Sequence, residues 1–234
     1  MYSDPNSVKR ISSLGAGPIG GGWTAHFLAR GYDVTAYLHD KSETNSFMSI
    51  LKTAWISLAE LGLAPSASMD RLRIVTDLEE ALDGADFVQE SGPERIEVKQ
   101  KLYSEMGKIL PPSIIIGSST SGLMMSDIQS DCSTPERTVI GHPFNPPYLL
   151  PLVEIVGGKR TAPEAVAWAG EFYKAAGKAP LMMKKEIPGF VATRLQEALW
   201  REALHMVANG EATPEDIDNA LMNLSLIHIS EPTR

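Results

Sequence analysis

The segment Leu14-Gly15-Ala16-Gly17-Pro18-Ile19-Gly20 constrains this chain more than any other. It is a G-x-G-x-x-G set where a strand candidate, residues 8–14, meets helical spacing over residues 18–30. Gly15 permits the tight turn, Gly17 lets the backbone approach a pyrophosphate, and Gly20 lets strand and helix pack closely. Pro18 and Ile19 then open a helix whose N-terminus faces the phosphates. A glycine-rich turn without a ligand has the same letters. The strand-to-helix context is what favours a dinucleotide, and it commits the chain to an α/β architecture.

The pattern continues downstream. Strand-like runs at 34–38, 72–75, 87–88, 114–116, 139–140, 152–156 and 179–183 alternate with helical spacing at 43–62, 94–109 and 163–176, and a short helix ends within 127–131. This predicts a Rossmann-type, doubly wound and largely parallel sheet over residues 1–187. Past the second strand, Asp40 lies twenty residues beyond Gly20, where an acid takes the ribose hydroxyls. A solvated loop aspartate reads equally there. Lys41 follows it but no arginine does, so NAD is preferred over NADP as cofactor. Pro188-Gly189 punctuates the chain, and from Phe190 onwards only helix is expected. Val191, Leu195, Leu199, Met206 and Val207 form an apolar stripe ending at Asn209-Gly210, and Thr213-Pro214-Glu215 opens another helix with a cap and a proline at its first position.

Composition narrows the partners. A formal net charge of -8 argues against nucleic acid or an anionic membrane surface, and 43% hydrophobic content with 21% charged residues is ordinary for a globular protein. Small molecules fit better. No apolar run approaches the roughly 18 residues a membrane helix needs, and the N-terminus lacks a signal-peptide core, so a cytoplasmic location is expected. The single cysteine, Cys132, cannot form an intrachain disulfide and offers no metal-binding spacing.

The chemistry-bearing segment is Gly141-His142-Pro143-Phe144-Asn145-Pro146-Pro147-Tyr148, followed by Leu152-Val153-Glu154. A strand enters a proline-stiffened elbow and a second strand leads back, which could bring Glu154 onto the His142 imidazole. Histidine exchanges protons near neutrality, and a carboxylate on its far nitrogen would fix the tautomer and stabilise the imidazolium. From this segment alone, a buried structural histidine and a surface glutamate is the simpler reading. The glycine loop upstream turns the balance towards a catalytic pair.

With that loop at one end and Gly-His-Pro-Phe-Asn-Pro at the other, residues 8–223 resemble the 3-hydroxyacyl-CoA dehydrogenase family. Intermediate motifs agree: Val88-Gln89-Glu90-Ser91-Gly92-Pro93-Glu94 with Lys99, Ser118-Ser119-Thr120-Ser121-Gly122-Leu123, and Pro188-Gly189-Phe190-Val191-Ala192-Thr193-Arg194. The resemblance implies His142 as general base, Glu154 as its partner, Ser121 hydrogen-bonded to the substrate hydroxyl, and Asn145 beside the nicotinamide. It also implies cofactor contacts by Glu94 and Lys99. Without the family, these two read equally as a solvated helix face and Ser121 as a turn residue. The stretches 142–158 and 189–204 are most similar to the family's L-carnitine 3-dehydrogenases, then to L-gulonate 3-dehydrogenases, and less to the acyl-CoA enzymes. A non-catalytic, nucleotide-binding or crystallin-like relative is the rival of another class. A trimethylammonium substrate would suit aromatic faces such as Tyr148 or Trp200. Two positions depart from the family: Leu38 stands at its usual aspartate, leaving Asp40 to substitute, and Thr193 stands at its usual substrate-contacting asparagine.

The last eleven residues, 224–234, resemble a translated sequencing adapter. The natural sequence is therefore expected to stop near Asn223, leaving residues 188–223 as the start of an all-α domain for substrate and homodimer contacts, with further helices in family members.

Overall fold

A computed structural model describes residues 2–224. Eight strands form one sheet: β1 Arg10–Leu14, β2 Asp33–Tyr37, β3 Leu72–Val75, β4 Phe87–Glu90, β5 Ile115–Ser118, β6 Thr138–Pro143, β7 Leu152–Gly157 and β8 Ala179–Met182. Their order is β3-β2-β1-β4-β5-β6-β7-β8, and every pair is parallel except β6 with β7. The sheet is the doubly wound one expected, with the order reversing between β1 and β4.

Helices α1 Pro18–Ala29, α2 Thr44–Leu61, α3 Leu78–Leu82, α4 Ile96–Ile109, α5 Met125–Ile128 and α6 Pro163–Ala175 cover it. Two separate cores result, one for each face. Trp23, Phe27, Phe47, Phe87 and Phe172 fill the first, beneath α1, α2 and α6. Leu82, Tyr103, Ile116 and Ile128 fill the second, beneath α3, α4 and α5. A strand covered on both faces has no solvent side, which is why β4, β5 and β6 read as unbroken buried runs rather than alternating ones. Cys132 is a buried free thiol.

The described chain divides into two compact units after Phe190. The sequence pattern predicts helix from Phe190 itself, but Gly189 and Phe190 both have positive φ, 72° and 50°, and helix α7 begins only at Ala192. Burial overrides the helical pattern here, because the Phe190 side chain is fully enclosed in the second core. In the second unit, α7 Ala192–Ala208 and α8 Pro214–Asn223 follow one another. Thr213 caps α8 in a reciprocal box with Asp216, and Gly210, at φ 69°, ends the turn after α7. The adapter-like segment lies outside the described residues apart from Leu224.

Candidate active site

The ends of four parallel strands converge. Register places Leu14 beside Glu90, Glu90 beside Ser118 and Ser118 beside Ile140, so the segments leaving β1, β4, β5 and the end of β6 share one edge of the sheet. Backbone bonds knit them together: Ser91 N donates to Leu14 O at 2.7 Å and Ser119 N to Glu90 O at 2.7 Å. This is the crevice at the switch point where open α/β sheets bind ligands.

The glycine loop leaves β1 at that crevice. Gly15 has φ 126°, and a Cβ there would overlap the Ser91 carbonyl; one at Gly20 would overlap the Gly15 carbonyl. Both glycines are required by close backbone approach. Gly17 differs: a Cβ there meets nothing within 4 Å, although the residue is the N-cap of α1 and no side chain caps that end. The first-turn N–H groups therefore have no side-chain acceptor beside an open space, which fits a pyrophosphate. Pro18 and Ile19 occupy the first turn, as expected.

His142 and Glu154 lie directly opposite one another across the antiparallel β6–β7 pair. Nδ1 of His142 is 2.9 Å from Oε2 of Glu154, with the histidine side chain 8% exposed and the carboxylate not at all. Antiparallel pairing explains this better than the elbow does: cross-strand residues on one face are neighbours by geometry. Phe144 and Phe190 flank the imidazole at centroid distances of 4.9 and 5.4 Å, limiting its motion. Asn145 is exposed on the elbow, where its bond to Pro146 is cis.

Ser121 lies exposed in the turn after β5. Glu94 organises that turn by accepting from Thr120 Oγ1 at 2.6 Å, Ser121 N at 2.9 Å and Gly122 N at 3.3 Å. Burial alone would raise the Glu94 pKa, but the Thr120 bond, the Lys99 charge and the two amides outweigh it and hold it below the ordinary carboxylate range. Lys99 is enclosed at 1% exposure, its ammonium 2.7 Å from Glu90 and 3.7 Å from Glu94. Glu90 in turn accepts from Ser118 Oγ and from Gly92 N. Glu90 was not anticipated as part of the site. A carboxylate inside the otherwise buried β4, nine residues before a helical lysine, was the available signal.

Leu38 is fully buried in the first core and offers no group to a ribose. Asp40 is exposed, its carboxylate accepting from Ser42 N at 2.7 Å as the cap of a short 3-10 turn, Lys41–Glu43. Hydrogen bonds from Ser42 keep it below the usual carboxylate pKa. Thr193 belongs to the second unit, where it lines an apolar groove with Leu199, Trp200, Leu204, Val207 and Ile217. Tyr148 is partly buried against the first core.

Residues 10–187 match the family description "3-hydroxyacyl-CoA dehydrogenase, NAD binding domain", and residues 189–226 match the C-terminal domain of the same enzymes. The chain belongs to the 3-hydroxyacyl-CoA dehydrogenase family. Like other members of that oxidoreductase family it has an NAD-binding domain built on a Rossmann-type sheet. It is 55% identical over 216 residues to L-carnitine dehydrogenase of Streptomyces coelicolor, covering 92% of this chain and 68% of that protein. The corresponding Pseudomonas putida enzyme is 50% identical over 214 residues, covering 92% and 67%. The chain thus spans about two thirds of the length of these relatives. Among solved structures, 3-hydroxybutyryl-CoA dehydrogenase from Escherichia coli superposes with a TM-score of 0.82 at 30% identity, covering 92% of this chain and 46% of that one. An NAD-dependent 5-formyl-3-hydroxy-2-methylpyridine 4-carboxylic acid 5-dehydrogenase gives 0.84 at 34% identity, covering 92% and 70%.

Proposed function

We propose that this chain carries the cofactor-binding and proton-transfer parts of an L-carnitine dehydrogenase, oxidising the 3-hydroxyl of L-carnitine to 3-dehydrocarnitine. The observation that carries the chemistry is the 2.9 Å contact between His142 and Glu154 at the crevice shared with the glycine loop. Identity of about half to L-carnitine dehydrogenases supports the substrate. NAD, when bound, supplies the hydride acceptor. Gly15, Gly17, Pro18, Ile19 and Gly20 would hold its pyrophosphate, with Asp40 at the ribose and Asn145 near the nicotinamide.

Glu154 fixes His142 by accepting from Nδ1, which presents Nε2 as the nitrogen that takes the hydroxyl proton. As that proton arrives, the buried carboxylate stabilises the imidazolium with little reorganisation. Ser121 positions the reacting oxygen. Glu94 sets the Ser121 turn, and Lys99 holds Glu94 and Glu90, a role that reaches the cofactor through the turn. The family resemblance reads Thr193 as a substrate contact. We further read the protein as a cytoplasmic homodimer that takes small molecules. No described helix is long and apolar enough to cross a membrane, and exposed Leu195, Leu199 and Trp200 on α7 suit a subunit contact.

A panel of L-carnitine, L-gulonate and a 3-hydroxyacyl-CoA, each with NAD and followed by NADH absorbance, tests the assignment. Turnover is expected with L-carnitine and at least about tenfold less with the others, a discrimination within reach of a few pocket contacts. Preference for either rival would overturn the substrate reading.

A further inference from the structure

Lys178 precedes β8 and is 7% exposed, yet its contacts are neutral. Its ammonium donates to the backbone carbonyls of Pro147 and Leu150, the latter at 3.2 Å, and lies 5.0 Å from the centroid of the Trp23 ring. The other basic group that acts on it, Arg30 at the end of α1, only repels it. Burying an ammonium without a counter-ion is expensive, so the site must use all of its hydrogen-bonding capacity.

Both carbonyls belong to the elbow, residues 144–151, which joins His142 to Glu154 and carries Asn145. That elbow has little hydrogen bonding of its own beyond Leu149 N and Leu150 N donating to Pro146 O, each at 3.0 Å. Its underside rests on α1, where a Cβ on Gly22 would come within 2.7 Å of Pro147 Cδ. Trp23, the next residue, donates from Nε1 to Ser119 Oγ at 3.2 Å, and the same hydroxyl meets Gln89 Nε2 and Ser91 Oγ at 2.8 Å each. One lysine amino group therefore ties the elbow to the nucleotide helix, and through Trp23 to the strand ends that lead to Ser121.

We propose that Lys178 is a positioning residue for the oxidation: it clamps the elbow onto α1 and so sets where Asn145 stands relative to the glycine loop. The proposal rests on the catalytic reading of His142 and Glu154. It is tested by two measurements on the intact protein, wild type against Lys178→Met. Hydrogen exchange read by mass spectrometry is expected to show the Leu149 and Leu150 amides exchanging about tenfold faster in the variant, with β1 and β4 unchanged. Steady-state kinetics on L-carnitine are expected to show kcat lower by about tenfold or more, with the NADH dissociation constant within about threefold of wild type. Unchanged elbow exchange, acceleration spread evenly over the sheet, or an unchanged kcat in a folded variant would each overturn the proposal. If wild type turns over no 3-hydroxy substrate, the catalytic reading fails, and the exchange data alone decide whether Lys178 clamps the elbow. Should Lys178→Met not fold, Lys178→Gln, too short to reach both carbonyls, is measured against the same expectations.

Discussion

At the residue scale the proposed chemistry rests on one cross-strand contact, His142 with the buried Glu154. With His142 as the proposed proton acceptor, His142→Ala is expected to lower turnover of L-carnitine by about 10²–10⁴-fold. NADH titrated by fluorescence should bind as before, since the glycine loop is untouched. A variant that kept most of its activity would show that another group takes the proton. Glu154→Gln keeps a polar side chain opposite His142 but removes the charge proposed to stabilise the imidazolium. A hydrogen bond to a charged group contributes about 1.5–3 kcal/mol, so kcat should drop roughly tenfold to 150-fold while KM changes little. Equal kcat in both proteins would reduce Glu154 to packing.

At the element scale the turn after β5 is held by a chain of charges that starts in β4 and ends at Ser121. Lys99 is the centre of that chain, facing Glu90 and Glu94 from the buried side of α4. Lys99→Met would leave Glu90 buried and unpaired, a loss expected to cost about 3–5 kcal/mol in urea unfolding. Adding Glu90→Gln should recover part of it, because the stranded charge is then gone. A double variant no more stable than the single one would mean that shape rather than charge is what Lys99 supplies. Much of this scale was legible beforehand: the glycine loop, the strand periodicity, and the Thr213 and Pro214 start of α8 are local signals that need no partner. Glu90 and Lys178 were not legible as site residues. Glu90 pairs with Lys99 nine residues on, a spacing that equally suits a solvated helix face, and Lys178 donates to backbone carbonyls, which leave no trace in the pattern of side chains. Phe190 was misread for a related reason, since the helical stripe says nothing about a ring drawn into the core beside His142.

At the scale of the whole molecule, buried bases should make stability depend on pH. Burial, and then Arg30, lowers the Lys178 pKa from 10.5 to about 7. Between those values the unfolded chain holds a proton that the folded chain has released, so stability rises with pH across the window. The slope is at most about 1.4 kcal/mol per pH unit for one such group. His26 acts in the same sense at lower pH: burial, followed by the Lys178 charge, depresses it well below 6.5, so its contribution is lost as pH falls below that value. The melting temperature of wild type should therefore gain on that of Lys178→Met as pH is raised from about 7 to 10, measured by calorimetry in matched buffers. A constant or shrinking difference would contradict the burial argument.

What the sequence determined by itself was whatever a short stretch of backbone can enforce. It set the tight turn at Gly15, the helix that follows, the alternation of strands and helices that makes a doubly wound sheet, and the presence of His142 and Glu154 within one motif. The tertiary structure decided which groups meet. Strand register placed His142 opposite Glu154, the order of parallel strands brought Ser121 and the glycine loop to one edge, and burial chose the ion pair and the ammonium that hold the turns there. The reason is physical: periodicity and turn chemistry act over a few residues, whereas the enclosure of a charge depends on every element packed around it.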